Sequence, residues 1–294
     1  MPQSVIPVLF VFLWATGFIG ARFAMPHAEP FYFLLIRFGI AGSLLLAYGL
    51  LTSRTFPDAK AARNAMITGA LIHGAYLSAV FWAIRNGLPA GMSALIVGIQ
   101  PILTTLLAGA ILKEKIYARH WLGLGVGLVG VAFVLWPKLH LGAAGINTAT
   151  IAASFAAVFC VSAGTIWQKK TGAATDMVTG TAYQYLGACI ITGALSLFFE
   201  NQQFEPSGEL YFALGWLVIV LSIGAIFLLM RLIRDGAINS IASLFYLIPA
   251  VTAIMANVLF GEELHGLQYI GMVLVAAAVW VSNSQLGTLR RASA

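Results

Sequence analysis

Two segments of the chain repeat one pattern, QPILTTLLAGAILKE (100–114) and IPAVTAIMANVLFGE (248–262). A proline near the start and a glutamate at the end align between the two without a gap. Just upstream, the triplet Arg85-Asn86-Gly87 resembles Arg234-Asp235-Gly236. The repeated feature is a charged turn, an apolar run with a proline inside it, an acidic turn and another apolar run. Such internal duplication is typical of membrane transporters.

The composition indicates a lipid environment. Of 294 residues, 60% are hydrophobic and 9% are charged, against about 25% charged in an ordinary soluble domain. Ten apolar runs can be marked, at about 5–24, 31–52, 64–84, 88–112, 120–137, 147–168, 178–199, 210–230, 237–260 and 266–283. Each is long enough to cross a hydrocarbon core as a helix. We therefore predict an all-α integral membrane protein with ten transmembrane helices.

The basic residues predict the orientation of these helices. With the N-terminus inside, the inner loops and the C-terminal tail contain twelve of the sixteen Lys and Arg residues, and the outer loops contain only Arg22, Arg85 and Lys138. This bias predicts that both termini are cytoplasmic. It also accounts for the formal charge of +6, so we expect no nucleic-acid partner.

The orientation makes the two copies inverted. Each copy, 1–142 and 143–294, contains five runs, so the second enters the membrane from the opposite side. We predict two inverted five-helix repeats around a site near the membrane midplane, the geometry of alternating access. A duplication that serves packing alone is the other interpretation.

The predicted membrane interior contains no carboxylate. All ten acidic residues lie in loops or at the ends of runs, which disfavours a carrier that binds protons or sodium on a membrane carboxylate. We therefore expect uniport without a driving ion. Glu114 and Glu262 are expected to be mainly structural, because both lie at run ends.

Two ionisable residues lie within runs, and each has two interpretations. Arg37 either extends to the outer interface, near Glu29, or receives a substrate carboxylate. His73 is either a neutral packing residue or part of a cavity wall, with Tyr76 on the same helical face.

Other polar residues lie at similar depth. The candidate substrate-binding residues are Trp14, Thr16, His73, Tyr76, Ser93, Gln100, Ser162, Ser222, Ser243 and Tyr246, with Arg37 as the candidate carboxylate contact. A proline within a run frees a backbone carbonyl, which is tolerated where the helix lines a cavity. Each hydroxyl taken singly can instead be a packing hydrogen bond. The two cysteines, Cys160 and Cys189, have no metal or redox spacing, and we expect no metal and no cofactor.

Several stretches resemble the EamA family of the drug/metabolite transporter superfamily. They are Trp14–Phe18, Arg37–Ala41 and the run from Pro101 through Glu114 to Gly123. The resemblance spans the whole chain and implies a ten-helix arrangement that exports small metabolites across the bacterial inner membrane. Within the family, the chain looks most like the aromatic amino acid exporter group.

The leading interpretation is an exporter of amino acids or similar small metabolites. A carrier of phosphorylated metabolites or nucleotide sugars is the alternative within transport, but such anions need Lys or Arg in the cavity. A membrane-embedded enzyme is disfavoured, because His73 has no acidic companion at its depth. The expected partners are a small-molecule substrate and the lipid bilayer, and the sequence is compatible with a monomer.

Overall fold

The computed structural model describes residues 5–113, 115–140, 146–172, 175–225, 228 and 247–283. Within these ranges the chain is helical, and the one β contact is an isolated antiparallel bridge between Ala28 and Phe204. Two of the candidate residues, Ser243 and Tyr246, lie outside the described residues.

The described helices are numbered in chain order. They are α1 Val5–Ala24, α2 Pro30–Leu51, α3 Ala59–Arg85, α4 Ala90–Leu112, α5 Ala118–His140, α6 Thr148–Thr171, α7 Met177–Phe199, α8 Gly208–Ala225, α9 Leu247–Phe260 and α10 Gly266–Asn283. Three of them are irregular. Helix α3 is π-helical over Ala70–Ala75, α8 is π-helical over Trp216–Ala225, and α4 is divided into Ala90–Val97 and Gln100–Leu112.

Local sequence explains where several helices begin. Helix α2 starts at Pro30, whose missing N–H is tolerated in a first turn. The side chain of Asp58 accepts a hydrogen bond from the backbone N–H of Ala61 and so caps α3. At the start of α6, Asn147 and Thr150 form a reciprocal capping box.

Six of these helices are long and apolar enough to cross a membrane by length and composition: α2, α3, α4, α6, α7 and α8. Shorter apolar stretches lie in the other four, at Val8–Ala24, Ala118–Val134, Ile248–Phe260 and Gly266–Ala278. Large apolar side chains cover the outside of the molecule; Leu51 is 85% exposed and Phe198 is 81% exposed. A surface of this kind suits lipid rather than water.

The helices pack mainly between the first and second halves of the chain. The most extensive pairings are α5 with α10, α2 with α7, α3 with α6 and α7, and α4 with α9. Glycines allow two of them. A Cβ atom on Gly130 of α5 would lie 2.9 Å from the carbonyl oxygen of Gly271 on α10, and one on Gly187 of α7 would clash with the Met66 carbonyl of α3. The backbones therefore approach closely, as is common in membrane helix pairs.

Candidate substrate cavity

A cavity of about 150 Å³ lies among α1, α2, α3, α4, α6, α7, α8 and α9. Six of the residues proposed from the sequence line it: Trp14, Arg37, His73, Tyr76, Gln100 and Ser222. They come from five helices, four in the first half of the chain and α8 in the second, so helix packing rather than sequence proximity brings them together.

The two π-helical segments carry two of these side chains to the cavity. His73 lies within Ala70–Ala75 of α3, and Ser222 lies within Trp216–Ala225 of α8. A π-helical turn inserts an extra residue into a helix and is frequent at functional sites. The same irregularity thus occurs in the third helix of the first half and in the third helix of the second half.

Arg37 is a buried cation on the cavity wall. It is 3% exposed, and its Nε donates a hydrogen bond to Ser222 Oγ at 3.2 Å. Its guanidinium carbon lies 5.5 Å from the ring centre of Phe38. Within the described ranges no carboxylate forms an ion pair with it; Glu29 instead accepts the backbone N–H of Gln203 at 2.8 Å. This position favours the substrate-facing interpretation of Arg37 over the interfacial one.

Tyr185 of α7 also lines the cavity, and the sequence reasoning missed it. Its hydroxyl donates to the backbone carbonyl of Ser222 at 2.9 Å, and its ring stacks on Phe38 with centres 5.5 Å apart. The His73 ring centre lies 5.0 Å from that of Tyr185, and His73 Nε2 lies 3.3 Å from Gln184 Oε1. The consecutive polar residues Gln184 and Tyr185 in the middle of an apolar run are the signal that could have identified this wall.

The interruption of α4 forms another part of the cavity wall. Val97, Gly98, Gln100 and Pro101 line the cavity. Because Pro101 has no N–H, it cannot donate to the carbonyl of Val97, four residues earlier. The backbone carbonyl of Gln100 accepts from Ser162 Oγ at 3.4 Å. Gly98 lies against α9, since a Cβ there would be 2.9 Å from Cγ of Pro249.

Three of the predicted residues, Thr16, Ser93 and Ser162, lie outside the cavity lining. Thr16 donates to the carbonyl of Leu13 and accepts from Trp216 Nε1 at 2.9 Å, which joins α1 to α8. Ser162 accepts from Thr104 Oγ1 at 3.1 Å and so joins α6 to α4. Ser93 is fully buried, outside the cavity lining.

The described residues contain no group of three or more His, Cys, Asp or Glu side chains that could hold a metal ion. The described wall of the cavity likewise contains no Asp or Glu. Its polar character therefore comes from one guanidinium, a few neutral side chains and backbone groups.

Two glutamates cap the N-termini of helices on the side of the molecule that is predicted to face the outside of the cell. Glu262 Oε1 and Oε2 accept the backbone N–H groups of Ala90 and Gly91, at 3.0 and 3.2 Å, so the second residue after the end of α9 caps α4. Gly261, at φ +63°, turns the chain so that Glu262 reaches α4. We call this contact the Glu262 clamp.

Glu200 makes a similar contact with α2. Its two carboxylate oxygens accept the N–H groups of Phe31 and Tyr32, both at 2.8 Å. Burial raises the pKa of Glu200, and these two hydrogen bonds oppose the shift.

The comparisons with known proteins identify the class. The chain matches the EamA-like transporter family over residues 5–136 and 148–284, and it belongs to that family. It is 25% identical to the uncharacterized inner membrane transporter YedA of Escherichia coli (strain K12), over 91% of this chain and 86% of the relative. It is 23% identical to the probable amino-acid metabolite efflux pump of the same organism, over 95% of this chain and 94% of the relative.

A solved structure described as "Crystal structure of protein" has the same fold, with a TM-score of 0.65, 20% identity and coverage of 99% of this chain and 98% of that one. The chain is thus a multi-pass membrane protein of a transporter family, and the names of its relatives indicate transport rather than enzymatic catalysis. Membership of the aromatic amino acid exporter group stays a prediction.

Proposed function

We propose that this protein exports amino acids, or closely similar small metabolites, across the bacterial inner membrane by alternating access. In this proposal the halves 1–142 and 143–294 are inverted five-helix repeats, both termini are cytoplasmic, and transport is uniport. The observation that carries the proposal is the position of Arg37, a buried cation that lines the central cavity with no acidic partner among the described residues.

A buried guanidinium without a counter-charge is costly in a membrane. A substrate carboxylate would supply that charge and could accept two parallel N–H bonds from the guanidinium. The rest of the described wall is largely aromatic and aliphatic, including Trp14, Phe18 and Phe81. An amphipathic substrate with one carboxylate and an apolar part matches this combination.

The size and charge of the cavity oppose the alternative of phosphorylated metabolites or nucleotide sugars. A volume of about 150 Å³ is the size of an engineered protein cavity that holds benzene. Phosphate groups are generally bound by several Arg or Lys side chains. The described cavity wall contains one such side chain, that of Arg37.

Several features support the repeat and alternating access. The third helix of each half has a π-helical segment, and the fourth helix of each half has a proline at the cavity, Pro101 or Pro249. The residues after those two helices, Lys113 and Gly261, both have left-handed backbone conformations. Similar local geometry at aligned positions is expected of duplicated units that pack around one site.

The name of one relative, a probable amino-acid metabolite efflux pump, supports the substrate class. The direct test is flux of the twenty labelled L-amino acids from proteoliposomes that contain the purified protein. We expect one or more amino acids to leave far faster than from protein-free liposomes. Arg37→Gln should lower that flux about tenfold or more, because a charged hydrogen bond in a dry site is lost, and Arg37→Lys should retain part of it.

Arg63→Gln is the matched control, since Arg63 lies on an exposed face of α3 away from the cavity. Its flux should equal that of the wild type. Equal flux in Arg37→Gln and wild-type vesicles would refute the proposed contact between Arg37 and the substrate carboxylate. The absence of flux for all twenty amino acids would refute the proposed substrate class.

A further inference from the structure

We propose that the interruption of α4 recognises the ammonium group of the substrate, so that the protein selects zwitterionic amino acids over the corresponding carboxylic acids that lack an amine. This inference rests on the proposed export of amino acids. It assigns a binding partner to the ammonium group, the charged group of the substrate that Arg37 does not bind.

The interruption places the end of a helix in the cavity wall. The segment Ala90–Val97 ends at the cavity, and Gln100–Leu112 begins there. The C-terminus of a helix carries partial negative charge on carbonyl groups that have no helical donor. A cationic group that contacts such a carbonyl is therefore stabilised.

In this turn the carbonyl of Val97 lacks its helical donor. The N–H of Gly98 donates to the carbonyl of Ala94 at 2.9 Å, and the N–H of Ile99 donates to that of Ile96 at 3.2 Å. The donor for the carbonyl of Val97 would be residue 101, which is proline. Val97 lines the cavity, and its carbonyl is the acceptor that the proposal assigns to the ammonium group. In an ordinary helix an N–H group would already bond to that carbonyl.

Arg37 is the second, independent feature that points to a ligand here. It is buried at 3% exposure and belongs to the wall formed by α2 and α8, whereas Val97 belongs to the wall formed by α4. The cavity therefore has a cationic part and an acceptor part made of backbone dipoles. No carboxylate of the described wall competes for the ammonium group.

This arrangement separates three kinds of compound. An amino acid satisfies both parts of the cavity. The deaminated acid satisfies Arg37 but leaves the Val97 carbonyl unpaired, and the decarboxylated amine leaves Arg37 unpaired. Leaving a buried polar group without its charged partner lowers the affinity for the ligand about tenfold or more. Both analogues should therefore bind more weakly than the amino acid.

The experiment is equilibrium binding to the detergent-solubilised protein by isothermal titration calorimetry. The ligands are the amino acid with the highest flux, the carboxylic acid with hydrogen in place of its amino group, and the amine formed by its decarboxylation. We expect the wild type to bind the amino acid about tenfold more tightly than either analogue. In Pro101→Ala the new N–H can bond to the Val97 carbonyl, so the advantage of the amino acid over the deaminated acid should fall to about twofold.

Pro30→Ala is the matched control, because Pro30 lies in the first turn of α2, where no helical N–H is missing; its binding ratio should equal that of the wild type. Pro101→Ala with an undiminished preference for the amino acid would overturn the inference. So would a wild-type protein that binds the deaminated acid as tightly as the amino acid, and that measurement does not depend on any variant folding. If both compounds bind equally and both require Arg37, the proposed function stands and only the role of α4 falls; if no amino acid binds, the proposed function falls first.

Discussion

Tyr185 stabilises the cavity wall, because its hydroxyl bonds to the backbone of Ser222, the residue that contacts Arg37. The hydroxyl donates to the carbonyl of Ser222, and the hydroxyl of Ser222 accepts from Arg37 Nε. Tyr185 is thereby a positioning residue for the guanidinium. Its effect on transport should run through substrate affinity.

We expect Tyr185→Phe to raise the KM for export about fivefold, since one buried hydrogen bond contributes on the order of 1 kcal/mol, and to change the maximal rate little. The measurement is the concentration dependence of flux in proteoliposomes. Tyr211→Phe is the control, because Tyr211 is 56% exposed and should leave both constants unchanged. A fall in maximal rate with an unaltered KM would contradict the positioning role.

The tryptophans offer a second comparison at this scale. Trp14 lines the cavity, and its ring centre lies 5.2 Å from that of Phe10. Trp136 is 55% exposed on α5. We expect Trp14→Ala to lower flux about tenfold with normal membrane insertion, because it removes a large part of an aromatic wall, and Trp136→Ala to stay within about twofold of wild type. Equal effects of the two replacements would place the site away from α1.

At the scale of the helices, glycine decides how closely α5 and α10 pack. A Cβ on Gly130 would lie 2.9 Å from the carbonyl oxygen of Gly271 and 2.9 Å from Cγ2 of Val275, whereas one on Gly125 would meet nothing within 4 Å. Replacing glycine by alanine should therefore disturb the packing at position 130 but not at position 125, five residues earlier on the same helix.

Gly130→Ala should lower the free energy of unfolding by about 1–3 kcal/mol, the usual cost of overpacking, and lower Tm in detergent accordingly. Gly125→Ala should keep Tm or raise it slightly, because alanine favours the helix by about 1 kcal/mol. Thermal unfolding of the two purified variants checks this. Coincident melting curves would show that α5 and α10 can separate at no cost.

The helices themselves were largely predictable, and the departures have physical causes. The predicted runs at 31–52 and 88–112 correspond to α2 and α4. Helix α3 begins at Ala59 rather than at the predicted 64, because Asp58 caps a polar first turn that hydropathy does not register. The π-helical segments could not be predicted, since a 3.6-residue period carries no sign of an inserted residue.

For the cavity, polarity within an apolar run was an informative signal for Arg37, His73 and Gln100, because a polar group at that depth needs a partner. Thr16 does not line the cavity, since a threonine hydroxyl can bond to a carbonyl of its own helix. Tyr185 was missed because a tyrosine also suits ordinary packing. Which polar residues share one wall depends on how the two halves dock, and no local pattern encodes that.

At the scale of the whole molecule, the described cavity wall has no carboxylate that could bind and release an ion during the cycle. We therefore expect flux of the substrate down its own gradient to be the same with and without imposed pH or sodium gradients. The assay is flux into proteoliposomes with and without an ionophore. Accumulation above the external concentration that collapses with the ionophore would refute uniport, and its disappearance in His73→Ala would identify His73 as the coupling residue.

We expect the Glu262 clamp to make the proposed export sensitive to the activity of water. In the proposed alternating access, opening the end of the molecule where α4 and α9 meet would separate the carboxylate from the N–H groups of Ala90 and Gly91. All three groups would then be hydrated. Opening thus takes up water, and solutes that are excluded from protein surfaces oppose it. Equal sucrose concentrations on both sides of the vesicle membrane should slow export by the wild type more than export by Glu262→Ala, because the start of α4 in that variant is already hydrated. The rate of the proposed export would then respond to cellular dehydration through one side chain far from the substrate.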